Sequence, residues 1–241
     1  MKSQNKITIN AIFEVFLRKV PEAVTILLII YALLPVLSPV LFHLKYPVPA
    51  QMIQAVYQRF CHQKVERSMF LFAEEEIAGK TGVVRFYSLE ELKAAKAIPL
   101  ENPHAPVFSV RETSFGYPYW GNEEVGYKVA YCIRDMALYT AMAVTCVILI
   151  IYTKGLEKAG KKLPRIPVWV YLVLMLPMVV DGLFQTIVEI SGGKSNPELQ
   201  IYVDNIPKRI VTGALFGVGF GIFVIMMLRK AMDYAFEEEA P

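Results

Sequence analysis

At 241 residues, 55% hydrophobic and a mean hydropathy of +0.40, the chain is more apolar than an ordinary soluble domain, whose apolar share is about 45–50%. A membrane protein is the first expectation. The net charge of +3 is too small to imply nucleic acid, and the basic residues flank apolar segments instead of forming a binding stripe.

Crossing roughly 30 Å of hydrocarbon takes about 20 apolar residues at 1.5 Å each. Four stretches qualify, at approximately 22–44, 130–153, 167–191 and 209–230. The first is long, runs through Pro35 and Pro39 and lacks a small-residue cleavage site, so it reads as a retained helix and not as a signal peptide. Short flanks rich in Lys and Arg favour the cytoplasmic side. Lys2, Lys6, Arg18 and Lys19 precede the first span, and Lys154, Lys158, Lys161, Lys162 and Arg165 fill the connection between the second and third. Both termini are therefore expected in the cytoplasm, in a multi-pass protein of the cell membrane.

Residues 45–129 then lie outside. "PAQMIQAVYQRFCHQ" has apolar residues at helical spacing, "GVVRFYS" and "APVFSVRETSF" read as short strands, and "SLEELKAAKAI" as a helix opened by a Ser cap. The aromatic run "FGYPYWG" suits a membrane interface. The expected fold is all-α membrane: a four-transmembrane-helix bundle with a small mixed α/β extracytoplasmic insertion between helices 1 and 2. Its parts are 1–44 (cytoplasmic N-terminus and first span), 45–129 (extracytoplasmic) and 130–241 (spans 2–4 with a cytoplasmic tail).

Ionisable groups within a span cost at least about 2.5–3.5 kcal/mol at its centre, so each needs a partner or a purpose. In the second span, "YCIRDMALY" sets Cys132, Asp135 and Tyr139 on one helical face, with Arg134 pointing elsewhere, able to snorkel to the headgroups. In the third, Asp181, Gln185 and Glu189 form one polar stripe, which suggests a water-filled or protein-filled groove. In the fourth, Gly213, Gly217 and Gly221 are spaced for close helix packing, with Arg209 and Thr212 at the outer end. The decapeptide "RFCHQKVERS" belongs to the same side. Topology thus permits one cluster of Cys61, His62, Gln63, Arg67, Cys132, Asp135, Asp181, Gln185 and Arg209.

The ordered set "FCHQ…ERS", "C-x-R-D" followed by Tyr139, "DGLFQ" and "R-x-x-TG-x-x-FG" resembles a prokaryotic multi-pass membrane family catalogued as a domain of unknown function. The likeness covers about half the chain. Where the family's second motif often reads C-x-R-C-x-G-I-Y, this chain has "CIRDMALY", with Asp135 for the second cysteine and Ala137 for the glycine. The resemblance implies an architecture and not a reaction.

Zinc accepts thiolate, imidazole and carboxylate, which makes Cys61, His62, Cys132, Asp135 and Asp181 the candidate ligands; a Cys61–Cys132 disulfide is the alternative. His62, Asp135 and Asp181 are the candidate acid/base groups. Gln63, Arg67, Arg134, Gln185 and Arg209 are the candidate positioning groups, the arginines suited to phosphate or carboxylate. The functional expectation is a membrane enzyme acting on a lipid phosphate headgroup or similar amphiphile. A non-catalytic accessory subunit, joined to a membrane-protein partner or to further copies of itself, and an ion or small-molecule transporter are the alternatives.

Overall fold

The computed structural model describes residues 19–61, 65–94, 119–191, 199 and 202–237. Four helices in it are long and apolar enough to cross a membrane: α1 (Val20–His43), α4 (Ile133–Lys158), α5 (Val168–Ile190) and α6 (Ile206–Glu237). Between α1 and α4 lie helix α2 (Pro47–Tyr57), a 3-10 turn at Val65–Arg67, strands β1 (Ser68–Leu71) and β2 (Val84–Arg85), helix α3 (Leu89–Ala94) and strands β3 (Gly121–Asn122) and β4 (Gly126–Cys132). The strands form one antiparallel sheet in the order β2-β1-β4-β3. A helical membrane bundle with a small mixed insertion between its first two spans is thus the architecture.

Local chemistry sets the elements. The Ser88 hydroxyl accepts the Glu91 amide (3.1 Å) while the Glu91 carboxylate accepts the Ser88 amide (2.7 Å), a reciprocal cap that starts α3 where the Ser was expected to. At the end of α1, Lys45 adopts φ 63°, and the amides of Lys45 and Tyr46 reach back to the carbonyls of Phe42 (3.0 Å) and Leu41 (2.8 Å). This Schellman turn satisfies the last carbonyls of α1 and reverses the chain into α2.

Two departures from the sequence reading matter. Residues 126–132 form a strand, so the second span begins at Ile133 and Cys132 is its N-cap residue, not a member of the helix; β4 runs through the boundary expected at 129/130. The sequence "APVFSVRETSF" and most of "FGYPYWG" lie outside the described residues. Of the aromatic run, Tyr119 is buried in the insertion core and Trp120 is half-buried, its ring stacked on Phe42 at 6.0 Å.

The insertion is fastened to α1 through a consequence of proline. Pro35 has no N–H to offer the Tyr31 carbonyl four residues earlier. The hydroxyls of Tyr57 (2.8 Å) and Tyr131 (3.3 Å) donate to that oxygen instead, and the rings of Tyr31, Tyr57, Tyr131 and Tyr139 stack into one cluster. Higher up, Gln54 donates to Ser38 Oγ (3.0 Å) and to the Lys128 carbonyl (2.7 Å), joining α2, α1 and β4.

Helices α4 and α6 run in the same direction in close contact. A Cβ at Gly213 would stand 2.5 Å from the Arg134 carbonyl oxygen, and one at Gly217 would collide with that of Leu138. At the end of the bundle away from the sheet, Glu22 pairs with Lys154 (2.9 Å) and Arg229 with Glu157 (2.8 Å), tying α1, α4 and α6.

Candidate functional site

Two polar clusters occupy the sheet end of the bundle. The first is built where three elements meet. Cys61 follows the end of α2, with its amide on the Tyr57 carbonyl at 3.0 Å; Cys132 ends β4; Asp135 lies in the first turn of α4, where the helix dipole favours a carboxylate. The Cys132 amide donates to Cys61 Sγ (3.3 Å), and the Cys132 thiol donates to Asp135 Oδ2 (3.1 Å). The two sulfurs and a carboxylate oxygen all lie within 4.8 Å of one another. Cys61 is buried and Cys132 half-buried, both as free thiols.

Electrostatically this is an acid cluster. The hydrogen bond with Cys132, then burial, then the charges of Cys132 and Asp135 push the Cys61 thiol well above the usual thiol value. Lys128 lies four residues before Cys132 on β4, across a register shift in its pairing with β1, and interacts electrostatically with Cys61 and Cys132. Burial lowers its pKa to about 8, against the opposing attraction of Cys61 and Cys132.

The second cluster is a lattice between α4, α5 and α6. Arg134, buried, forms an ion pair with Asp181 and donates to Gln185 Oε1 at 3.2 Å. Lys208 Nζ lies 2.7 Å from the other Asp181 oxygen, and sits over the Tyr202 ring at 3.7 Å. Arg209, 2% exposed, donates to Gln185 Oε1 and to the Val203 carbonyl, each at 2.9 Å. Arg67 Nε bonds Asp204 Oδ1 at 2.5 Å. Both acids here meet a cation directly, and Arg209 is held by the neutral Gln185 and a backbone carbonyl, the partnering that polar groups inside a bilayer require.

Of the residues expected at one site, the structure thus brings Cys61, Cys132 and Asp135 together. It sets Arg134, Asp181, Gln185 and Arg209 in the adjoining lattice, and joins Arg67 to Asp204 from the connection before α6. Arg134 does point away from Cys132, but inward to Asp181 and not outward to the headgroups. His62, Gln63 and the Glu189 side chain lie outside the described residues. Lys128, Lys208 and Asp204 are not among the expected site residues; for Lys128 no simple spacing points to Cys132, because the β1–β4 register shifts between the two.

Residues 125–223 match a family model described as "Predicted membrane protein (DUF2085)". The matched segment runs from the start of β4 into α6 and takes in Cys132, Arg134, Asp135, Asp181, Gln185 and Arg209, while Cys61 and Arg67 precede it. This agrees with the resemblance to a membrane family of unknown function and adds no reaction to it. No curated relative and no solved structure matches the chain.

Proposed function

We propose that this membrane protein holds a soft divalent cation, zinc first, on Cys61, Cys132 and Asp135, and uses it on an anionic amphiphile such as a lipid phosphate at the sheet-side membrane surface. The observation that carries the reading is the convergence of two thiols and a carboxylate within 4.8 Å. In a tetrahedral zinc site with Zn–S about 2.3 Å and Zn–O about 2.0–2.2 Å, ligand atoms stand roughly 3.6–3.8 Å apart. Closing the trio onto an ion therefore takes movements of about 1 Å or less. Such an ion would replace the thiol protons and relieve the repulsion that keeps Cys61 protonated. His62, next in sequence to Cys61, is the candidate for a fourth ligand or for the group that activates water.

Arg67, Arg134 and Arg209 surround this end of the bundle with positive charge, which favours a phosphate over a neutral headgroup. Asp181 and Gln185 serve that surround by holding Arg134 and Arg209, and being so engaged they make a poor ion path, which counts against a transporter. The sheet side is taken as the outer one, with both termini in the cytoplasm, because the basic connection Lys154–Arg165 leaves the opposite end of α4.

The test is metal content of the full chain purified in detergent, combined with thiol labelling under nonreducing conditions. The expected result is about one zinc per chain, lost in Cys61→Ser and in Cys132→Ser, with both thiols labelled once zinc is chelated. Protein that takes up no zinc, and whose two thiols react only after reduction, contains the Cys61–Cys132 disulfide and sinks the proposal.

A further inference from the structure

Helix α2 has two unlike faces. Ala50, Gln54 and Tyr57 are buried against α1 and β4. On the other side Val48, Met52 and Val56 recur every four residues, continued past the two ends by Leu44 and Phe60, and all five are more than half exposed. A water-facing domain rarely leaves so continuous an apolar stripe uncovered.

The direction of α2 says what covers it. Ser38 donates to the Ala50 carbonyl and accepts from Gln54, while the rings of Tyr57 and Phe60 reach Tyr31, at 5.1 and 6.5 Å. The helix therefore descends antiparallel to α1, towards a residue that stands roughly 18 Å back along the axis from His43 at 1.5 Å per residue. All of α1 is a membrane-span candidate. It too leaves apolar side chains exposed, among them Ile30, Leu33 and Leu37.

Helix α5 supports the same depth independently. Asp181 marks the level of Arg134, yet towards the sheet end Leu183, Ile187 and Ile190 remain 60%, 62% and 82% exposed. Apolar surface thus extends about 13 Å beyond the level of the Arg134–Asp181 pair. Irregular and strand backbone at bilayer depth is tolerated only where protein buries it, and Cys61, Val65, Ser68, Ala130 and Tyr131 are each at most 5% exposed.

We infer that α2 is a re-entrant helix whose Val48, Met52 and Val56 face lies against lipid acyl chains, so that Cys61, Cys132 and Asp135 sit below the membrane surface. Residues 47–60 then belong to the bilayer and not to an external domain. Gln51 and Arg59 are exposed on the same side; Arg59 follows the last turn, where its long stem can carry the guanidinium to a polar region.

The inference does not depend on metal binding. Met52→Trp and Val56→Trp, made singly in the full chain, are reconstituted into phosphatidylcholine vesicles with brominated acyl chains, with Glu75→Trp as the water-facing control. Emission beyond that of the parent protein should be quenched several-fold more strongly by the brominated chains than in the control, and left untouched by aqueous iodide. Quenching by iodide would overturn the inference in favour of an aqueous face, and quenching by neither would overturn it in favour of a protein partner or second copy. Should either variant fail to fold, Val48→Trp provides the same reading one turn away.

Discussion

The two polar clusters at the sheet end differ in how their charges are balanced. In the α4–α5–α6 lattice each acid meets a base directly: Asp181 lies between Arg134 and Lys208, and Asp204 holds Arg67. Nearby, the side chains of Cys61, Cys132 and Asp135 bond to one another and to the Cys132 amide in the contacts described, while Lys128 acts on both thiols and Arg209 on Cys132 through their fields. The ties of the lattice hold three helices in register. The trio joins the end of α2, β4 and α4 through its own hydrogen bonds, and the cation proposed above would join it there.

The largest effect should come from breaking the lattice. Removing one member of a buried ion pair costs about 3–5 kcal/mol, because the other charge is left without a partner. Asp181 serves both Arg134 and Lys208, so Asp181→Leu is expected to lower thermal stability in detergent by that order, and Asp181→Leu combined with Arg134→Met and Lys208→Met to recover much of it. If the triple variant is no better than the single one, the three residues do more than fasten helices.

The trio should behave the other way. With zinc at a hundred times its dissociation constant, the metal adds about 2.7 kcal/mol to the stability of the wild type. Asp135→Asn should lose most of that increment while leaving the zinc-free protein as stable as before. A variant equally destabilised with and without zinc would place Asp135 in the scaffold.

Lys128 separates the clusters by pH. Its folded pKa, about 8, lies below the ordinary lysine value. Between the two values the unfolded chain binds more protons, so stability rises with pH, by at most about 1.4 kcal/mol per unit. Cys61 acts oppositely above the ordinary thiol value, since its raised folded pKa makes the native state the better proton binder there. Zinc-free protein should therefore gain stability from about pH 8 to 9, and Lys128→Met should abolish the gain. The smallest effect belongs to a region remote from both clusters: Ser88→Ala, which removes one half of the reciprocal cap on α3, should cost about 1 kcal/mol in chemical unfolding.

The four spans were legible because long apolar runs have few other uses. The start of α4 was not: in "GYKVAYC" the six residues from Gly126 to Tyr131 are all buried, so the segment lacks the alternation that identifies a strand and reads as more of the following helix. The Cys132 and Asp135 pairing survived that error, because a cap residue and the third residue of a helix meet much as two helical residues three apart do. Cys61 was placed on the correct side by topology, but its contact with Cys132 spans 71 residues and depends on the turn that folds α2 back along α1. Arg134 does point away from the Cys132 and Asp135 face, but onto Asp181 and Gln185, two other residues of the expected cluster, and helical periodicity within one span does not say which helix stands on that side.

The Tyr31 carbonyl sets an order of assembly. When α1 first enters the bilayer, Pro35 leaves that oxygen without its helical partner, and the hydroxyls that satisfy it belong to residues 57 and 131. The first of these arrives with α2, 26 residues after Tyr31. Until then α1 carries an unmet acceptor in a solvent without donors, so settling of the first span should await the turn that brings α2 back along it. A nascent chain truncated before Tyr57 should accordingly be held at the insertion machinery longer than one that extends past it.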